Sequence, residues 1–170
     1  MPIQRLNHAV LYVRDAQRSA AFYEEVLGFR RLIDTPGAVF MQAESSTNDH
    51  DLGLFSVGDA AAPSEAGRRT VGLYHLAWEV DTLDELERIA TVLSDAGSLV
   101  GASDHTTTKA LYAHDPDGIE FEVSWLVPAD RLGDIGTVDP RPLPLDLARE
   151  KQRYGGSTRG GVGVSSPAPV

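Results

Sequence analysis

The chain has 170 residues, 42% hydrophobic and 24% charged, with a formal net charge of -10 and a pI near 4.8. That length suits one domain with a real core or two small packed modules, and the acidic balance argues against nucleic acid or an anionic membrane surface as a partner. The absence of cysteine excludes disulfides, thiolate metal sites and cysteine nucleophiles.

The N-terminal stretch Met1-Pro2-Ile3-Gln4-Arg5 has no signal-peptide apolar core, and no apolar run approaches the roughly 20 residues that cross a bilayer. A cytoplasmic protein is expected. Residues 6–13 are rich in branched and aromatic side chains and predict a buried strand. Asp15 is placed to cap a helix over 16–26, with Ala20, Phe22, Tyr23, Val26 and Leu27 as its apolar stripe and Gly28 as its stop. Short strands are then predicted over 30–35, 38–44 and 51–57, with a Pro36-Gly37 turn between the first two.

Residues 58–70 are rich in Ala, Gly and charge and read as a linker. The order then repeats. A strand over 73–80 leads to a cap at Asp81. A helix over 82–96 has Leu83, Leu86, Ile89, Ala90 and Leu93 at helical spacing, and Gly97 ends it. Strands over 99–102, 110–113 and 119–124 follow, with the turn sequence Asp115-Pro116-Asp117-Gly118 before the last. Two tandem βαβββ modules are predicted, an α+β fold whose paired sheets form an open curved barrel, or cup, with helices outside. The expected organisation is 1–57 for the first module, 58–71 for the linker, 72–126 for the second module and 127–170 for a C-terminal extension. Within that extension 145–154 can form a short helix, and the Gly-, Ser- and Pro-rich stretch after it is expected to be flexible.

The two predicted first strands share the pattern Leu-x-His-x-x-x-x-Val, carried by Leu6, His8 and Val13 and again by Leu73, His75 and Val80. Alternation puts His8 on one face with Leu6, Val10 and Tyr12, and His75 with Leu73, Ala77 and Glu79. Glu120 and Glu122 share a face of the last strand, so at least one carboxylate faces the histidines. Two imidazoles and one carboxylate form the ligand set of a non-haem Fe(II) oxygenase site, with positions left for chemistry. A buried unpaired carboxylate is costly, and a divalent cation removes that cost. Such donors favour Fe(II), Mn(II), Zn(II), Ni(II) or Co(II) over Cu(I).

Four stretches carry a resemblance to the vicinal oxygen chelate superfamily of glyoxalases, bleomycin-resistance proteins and type I extradiol dioxygenases. They are residues 6–13, 21–29, 73–80 and 111–122, the last reading Leu-Tyr-Ala-His-Asp-Pro-Asp-Gly-Ile-Glu-Phe-Glu. The resemblance implies metal ligation by His8, His75 and Glu122, selecting Glu122 over Glu120. Residues 49–54 resemble the strand that carries the acid–base histidine of extradiol dioxygenases, which implies that role for His50. His105 and Tyr112 resemble the substrate-binding pair of the same enzymes, although their spacing is shorter. The chain lacks room for the further pair of modules those enzymes often carry. The resemblance thus implies an Fe(II)-dependent, or Mn(II)-dependent, dioxygenase that cleaves an aromatic vicinal diol with O2, as a homodimer. One alternative is a glyoxalase-type isomerase, lyase or epimerase. It is disfavoured as a four-ligand site because Leu52-Gly53-Leu54-Phe55 offers no carboxylate. The other is a non-enzymatic binder of aromatic drugs, which would have no use for the metal triad.

Overall fold

The computed structural model describes residues 2–3, 5–66, 69–135 and 141–161. They divide into two compact units, one within 1–65 together with Asp115–Ile119, the other within 66–114 and 120–170. Each unit holds one βαβββ module, and the fold is α+β.

In the first unit the order is β1 (Ala9–Val13), α1 (Ala16–Leu27), β2 (Arg30–Thr35), β3 (Ala38–Gln42) and β4 (Leu52–Ser56). β1 pairs parallel to β4, and β4, β3 and β2 pair antiparallel, giving the sheet order β1-β4-β3-β2. The parallel pairing follows from the helix between the first strand and the rest, which returns the chain to the end of the sheet where β1 began, so that β2 and, after the β3 hairpin, β4 run in the direction of β1. Asp15 caps α1 by accepting from the Gln17 and Arg18 amides, and Gly28 ends it in the left-handed region at φ 69°. Leu11, Val13, Ala16, Ala20, Tyr23, Val26, Val39, Met41, Leu52 and Leu54 are buried, so α1 covers one sheet face. The alternate residues of β1, Val10 and Tyr12, are exposed.

The turn Asp115–Ile119 belongs to this unit although the strands it joins belong to the other. Asp115 Oδ1 accepts from the amides of Asp117 and Ile119, and Asp117 pairs with Arg14 at 3.0 Å and with Arg18. Burial works against ionisation of Asp117, but hydrogen bonds from Arg14 and the charge of Arg18 hold its carboxyl below the usual range. Asp115 has no such cation, and burial pushes its carboxyl up.

The second unit runs β5 (Leu76–Glu79), α2 (Leu83–Asp95), β6 (Leu99–Asp104), β7 (Thr108–His114) and β8 (Glu120–Leu126). β9 (Leu143–Pro144) and α3 (Leu147–Tyr154) follow, and the sheet order is β5-β8-β7-β6-β9. The cap of α2 is Thr82, whose side chain accepts from Glu85 N, and not the expected Asp81. Leu83, Leu86, Ile89 and Leu93 bury the helix stripe, with Leu111, Phe121, Val123 and Trp125 on the facing side of the sheet.

The extension differs from expectation beyond Tyr154. Residues 155–161, expected to be flexible, lie closely against the second unit, while 162–170 fall outside the described residues. The Trp125 indole donates to Thr158 O at 3.2 Å, and Gly160 N donates to Asp81 O at 2.8 Å. A Cβ on Gly160 would collide with Leu126 O and the Trp125 indole, and one on Gly156 with the Asp84 carboxylate. Composition misled here because glycine serves close approach in this strap, not chain freedom.

Gly160→Ala should therefore destabilise the protein by about 1–3 kcal/mol in chemical denaturation, as overpacking against backbone does. Gly133→Ala, where an added Cβ meets nothing within 4 Å, is the control. Equal midpoints for the two variants would show that residues 155–161 are not docked.

Candidate metal and acid–base site

The second unit gathers four of the expected site residues. The β7–β8 register sets Tyr112 opposite Glu122, and the β5–β8 register sets Ala77 beside Glu122. Two residues before Ala77, His75 lies on the same side, and its Nε2 is 3.3 Å from Glu122 Oε2. The Tyr112 hydroxyl is 2.8 Å from His105 Nε2. The Tyr112 phenol is pushed up to about 12, first by burial and then by the charge of Glu122 opposite it.

Glu120 was the other carboxylate on this face. Its Oε1 lies 4.0 Å from His75 Nδ1 and its Oε2 3.7 Å from His114 Nε2, both beyond hydrogen-bond reach. His75 Nδ1 is buried with no hydrogen-bond partner among the described residues. An imidazole with an orphaned nitrogen facing a carboxylate is poorly settled as a core pair, and it fits the donor set of a divalent cation. Among the described residues, no group of three or more His, Asp or Glu side chains is assembled for a metal ion.

His8 and His50 belong to the first unit, with ring centroids 4.3 Å apart. Asn7 Oδ1 is 2.7 Å from His8 Nδ1. An amide oxygen accepts only, so His8 carries its proton on Nδ1 and leaves Nε2 bare, the state a ligand needs. Asp49 Oδ2 lies 3.1 Å from His50 Nδ1. Hydrogen bonding from the His50 backbone, then the His50 charge and side chain, holds the Asp49 carboxyl below its usual range against a smaller cost of burial. In the neutral ring this contact favours the His50 proton on Nδ1, with Nε2 as the acceptor. Phe40 packs edge-on to His50 at 5.2 Å between centroids. Neither Asn7 nor Asp49 was expected to serve the site. Their only sequence signal is adjacency to a histidine, and at His75 the matching neighbour is Tyr74.

The sequence profile of the "Glyoxalase/Bleomycin resistance protein/Dioxygenase superfamily" matches residues 5–123. A catechol-2,3-dioxygenase of Bacillus subtilis (strain 168) is 32% identical over 118 residues, covering 69% of this chain and 40% of that protein. The chain thus spans about two fifths of the length of that relative. The metallothiol transferase FosB of Lysinibacillus sphaericus (strain C3-41) is 25% identical over 135 residues, covering 78% of this chain and 89% of that protein. Among solved structures, a glyoxalase/dioxygenase from Nostoc punctiforme shares the fold with a TM-score of 0.58 at 24% identity, covering 71% of this chain and 90% of that one.

In the metal-free protein, the Tyr112 phenolate should appear only near pH 12 in an ultraviolet titration read as wild type minus Tyr112→Phe. Between the ordinary phenol range near 10 and that value the folded chain keeps a proton the unfolded chain has lost, so stability falls as pH rises through this window. A difference spectrum with its midpoint near 10 would remove the Glu122–Tyr112 coupling.

Proposed function

We propose, from the premise that the chain belongs to the glyoxalase/bleomycin resistance protein/dioxygenase superfamily, that it is an Fe(II)-dependent enzyme cleaving a catechol-like vicinal diol with O2. Its ligands are His8, His75 and Glu122. The observation that supports this reading is the run of His75, Glu122, Tyr112 and His105, with His75 Nε2 3.3 Å from Glu122 Oε2 and the Tyr112 hydroxyl 2.8 Å from His105 Nε2, which sets acid–base groups beside two of the proposed ligands. Mn(II) suits the same donors. The cation, when bound, supplies Lewis acidity toward a chelating diol and a redox-active centre for dioxygen.

The protein's own groups do the rest. His50, with its Nδ1 proton held by Asp49, takes a proton from a diol hydroxyl at Nε2 and later returns it. Tyr112 stays protonated at working pH and offers its hydroxyl to a substrate oxygen. His105 donates to Tyr112 and so fixes the direction of that hydroxyl. The overall reaction breaks the ring carbon–carbon bond next to the diol and puts both atoms of O2 into a ring-opened semialdehyde or acid. It needs no external reductant.

A second reading is favoured by one observation. The match to the FosB-type transferase covers 89% of that protein, against 40% of the dioxygenase. A single pair of modules therefore also suits a metal-dependent transferase, isomerase, lyase or epimerase acting on a chelating substrate without O2. The two readings diverge at His50, Tyr112 and His105, which only the diol-cleaving reaction calls upon.

Glu122→Ala should lose iron during anaerobic desalting, measured by metal analysis, while the fold persists. Unchanged iron content would strike Glu122 from the ligand set. His50→Ala should keep its iron yet turn over catechols on the order of 100-fold more slowly, the size of a lost general acid–base. Near-normal turnover would end that role for His50.

A further inference from the structure

We propose that Glu150, on the C-terminal helix, is a positioning residue for His105, acting through a buried ion-pair cluster that holds the turn carrying this imidazole. The turn between β6 and β7 is tight. Thr106 adopts φ 70°, in the left-handed region that a β-branched residue avoids, so the turn requires outside support. That support comes from two side chains. Asp104 Oδ1 accepts from Thr106 N at 2.8 Å, and Lys109 Nζ donates to Thr106 O at 3.2 Å. Lys109 and Asp104 are themselves paired at 2.5 Å. The backbone on either side of Thr106 is closed by His105 N donating to Thr108 O and Thr107 N donating to His105 O, each at 2.8 Å.

Lys109 is the unusual member. It lies on the helix-covered face of β7, opposite Trp125, and its side chain is only 1% exposed. A buried ammonium stands only when its charge is matched nearby. Asp104 shares its oxygen with Thr106 N, and the second carboxylate is Glu150, fully buried, with Oε2 at 3.1 Å from Lys109 Nζ. Arg149 closes the cluster with Nε at 3.1 Å from Glu150 Oε1 and Nη2 at 3.7 Å from Asp104 Oδ2. Two carboxylates and two cations balance. The extension also pairs β9 with β6 at Ser103 and Asp104, the residues just before the turn. It is held on α2 by Lys151, which bridges Asp84 at 2.8 Å and Glu87 at 2.5 Å.

The path from the extension to the candidate site is therefore short: Glu150, Lys109, the Thr106 turn, His105, and the Tyr112 hydroxyl 2.8 Å beyond. The catalytic consequence rests on the diol-cleaving reading, whereas the positioning of His105 does not.

Long-range proton–nitrogen spectra of the five histidines in uniformly labelled full-length protein test the positioning directly, with His105→Asn for assignment. In Glu150→Gln the His105 imidazole signals should shift or broaden while those of His8 and His50 stay in place, and Glu150→Asp should restore them at least in part. Unmoved His105 signals in folded Glu150→Gln, or equal shifts at all five rings, would overturn the proposal. Should Glu150→Gln not fold, the double variant Lys109→Met with Glu150→Leu replaces the buried charges by apolar volume. It must still disturb His105, and an undisturbed ring there contradicts the proposal. If the protein cleaves diols, Glu150→Gln should also lower kcat about tenfold at unchanged iron content. Absence of diol cleavage in the wild type would refute the function while leaving the spectra to decide the positioning.

Discussion

The pairing of β7 with β8 is the constraint on which the candidate site depends. Its register sets Tyr112 against Glu122 and, two steps away, Ala110 against Ser124, while Leu111, Ala113, Phe121 and Val123 turn toward α2. A slip of one residue would exchange these sets, burying a carboxylate and a phenol under the helix and exposing the core. The apolar residues thus enforce the polar constellation: wherever Phe121 and Val123 are buried, Glu122 must face the other way. The same alternation in β1 buries Leu11 and Val13 and leaves Val10 and Tyr12 on the opposite side.

Much of this was legible in the sequence because it follows from period and punctuation. The alternation around Phe121 and Val123, the 3.6-residue spacing of Leu83, Leu86, Ile89 and Leu93, and the glycines at 28 and 97 report local preferences that tertiary packing reinforces. What stayed hidden depends on partners far apart in the chain. Nothing local in Asp115–Ile119 says that its carboxylates meet Arg14, Arg18 and Tyr23. Lys109, one residue before the strand expected over 110–113, is buried beside Glu150, which comes from forty-one positions later. Gly156 and Gly160 look like linker residues until the side chains they press against are known.

The histidines show a second kind of information that sequence spacing carries only weakly. Their positions follow from the repeated strand pattern, but their protonation follows from neighbours. Asn7 Oδ1 favours the proton of His8 on Nδ1, Asp49 favours that of His50 on Nδ1, and His105 shares its Nε2 with the Tyr112 hydroxyl. An imidazole with a bare Nε2 suits a ligand or a base, and one with Nε2–H suits a donor to a phenol. Three histidines of one chemical type thereby come to differ in what they can do, through neighbouring polar atoms 2.7, 3.1 and 2.8 Å away. His75 has no such neighbour among the described residues: its Nδ1 is without a hydrogen-bond partner there and its Nε2 faces Glu122.

The most direct measurement of the central claim is oxygen uptake by the anaerobically iron-loaded protein on addition of a panel of catechols, read together with the yellow absorbance of ring-opened product. One O2 should be consumed per diol cleaved, with both labelled atoms of 18O2 recovered in the product. Stoichiometric iron binding with no oxygen consumed on any catechol would contradict it.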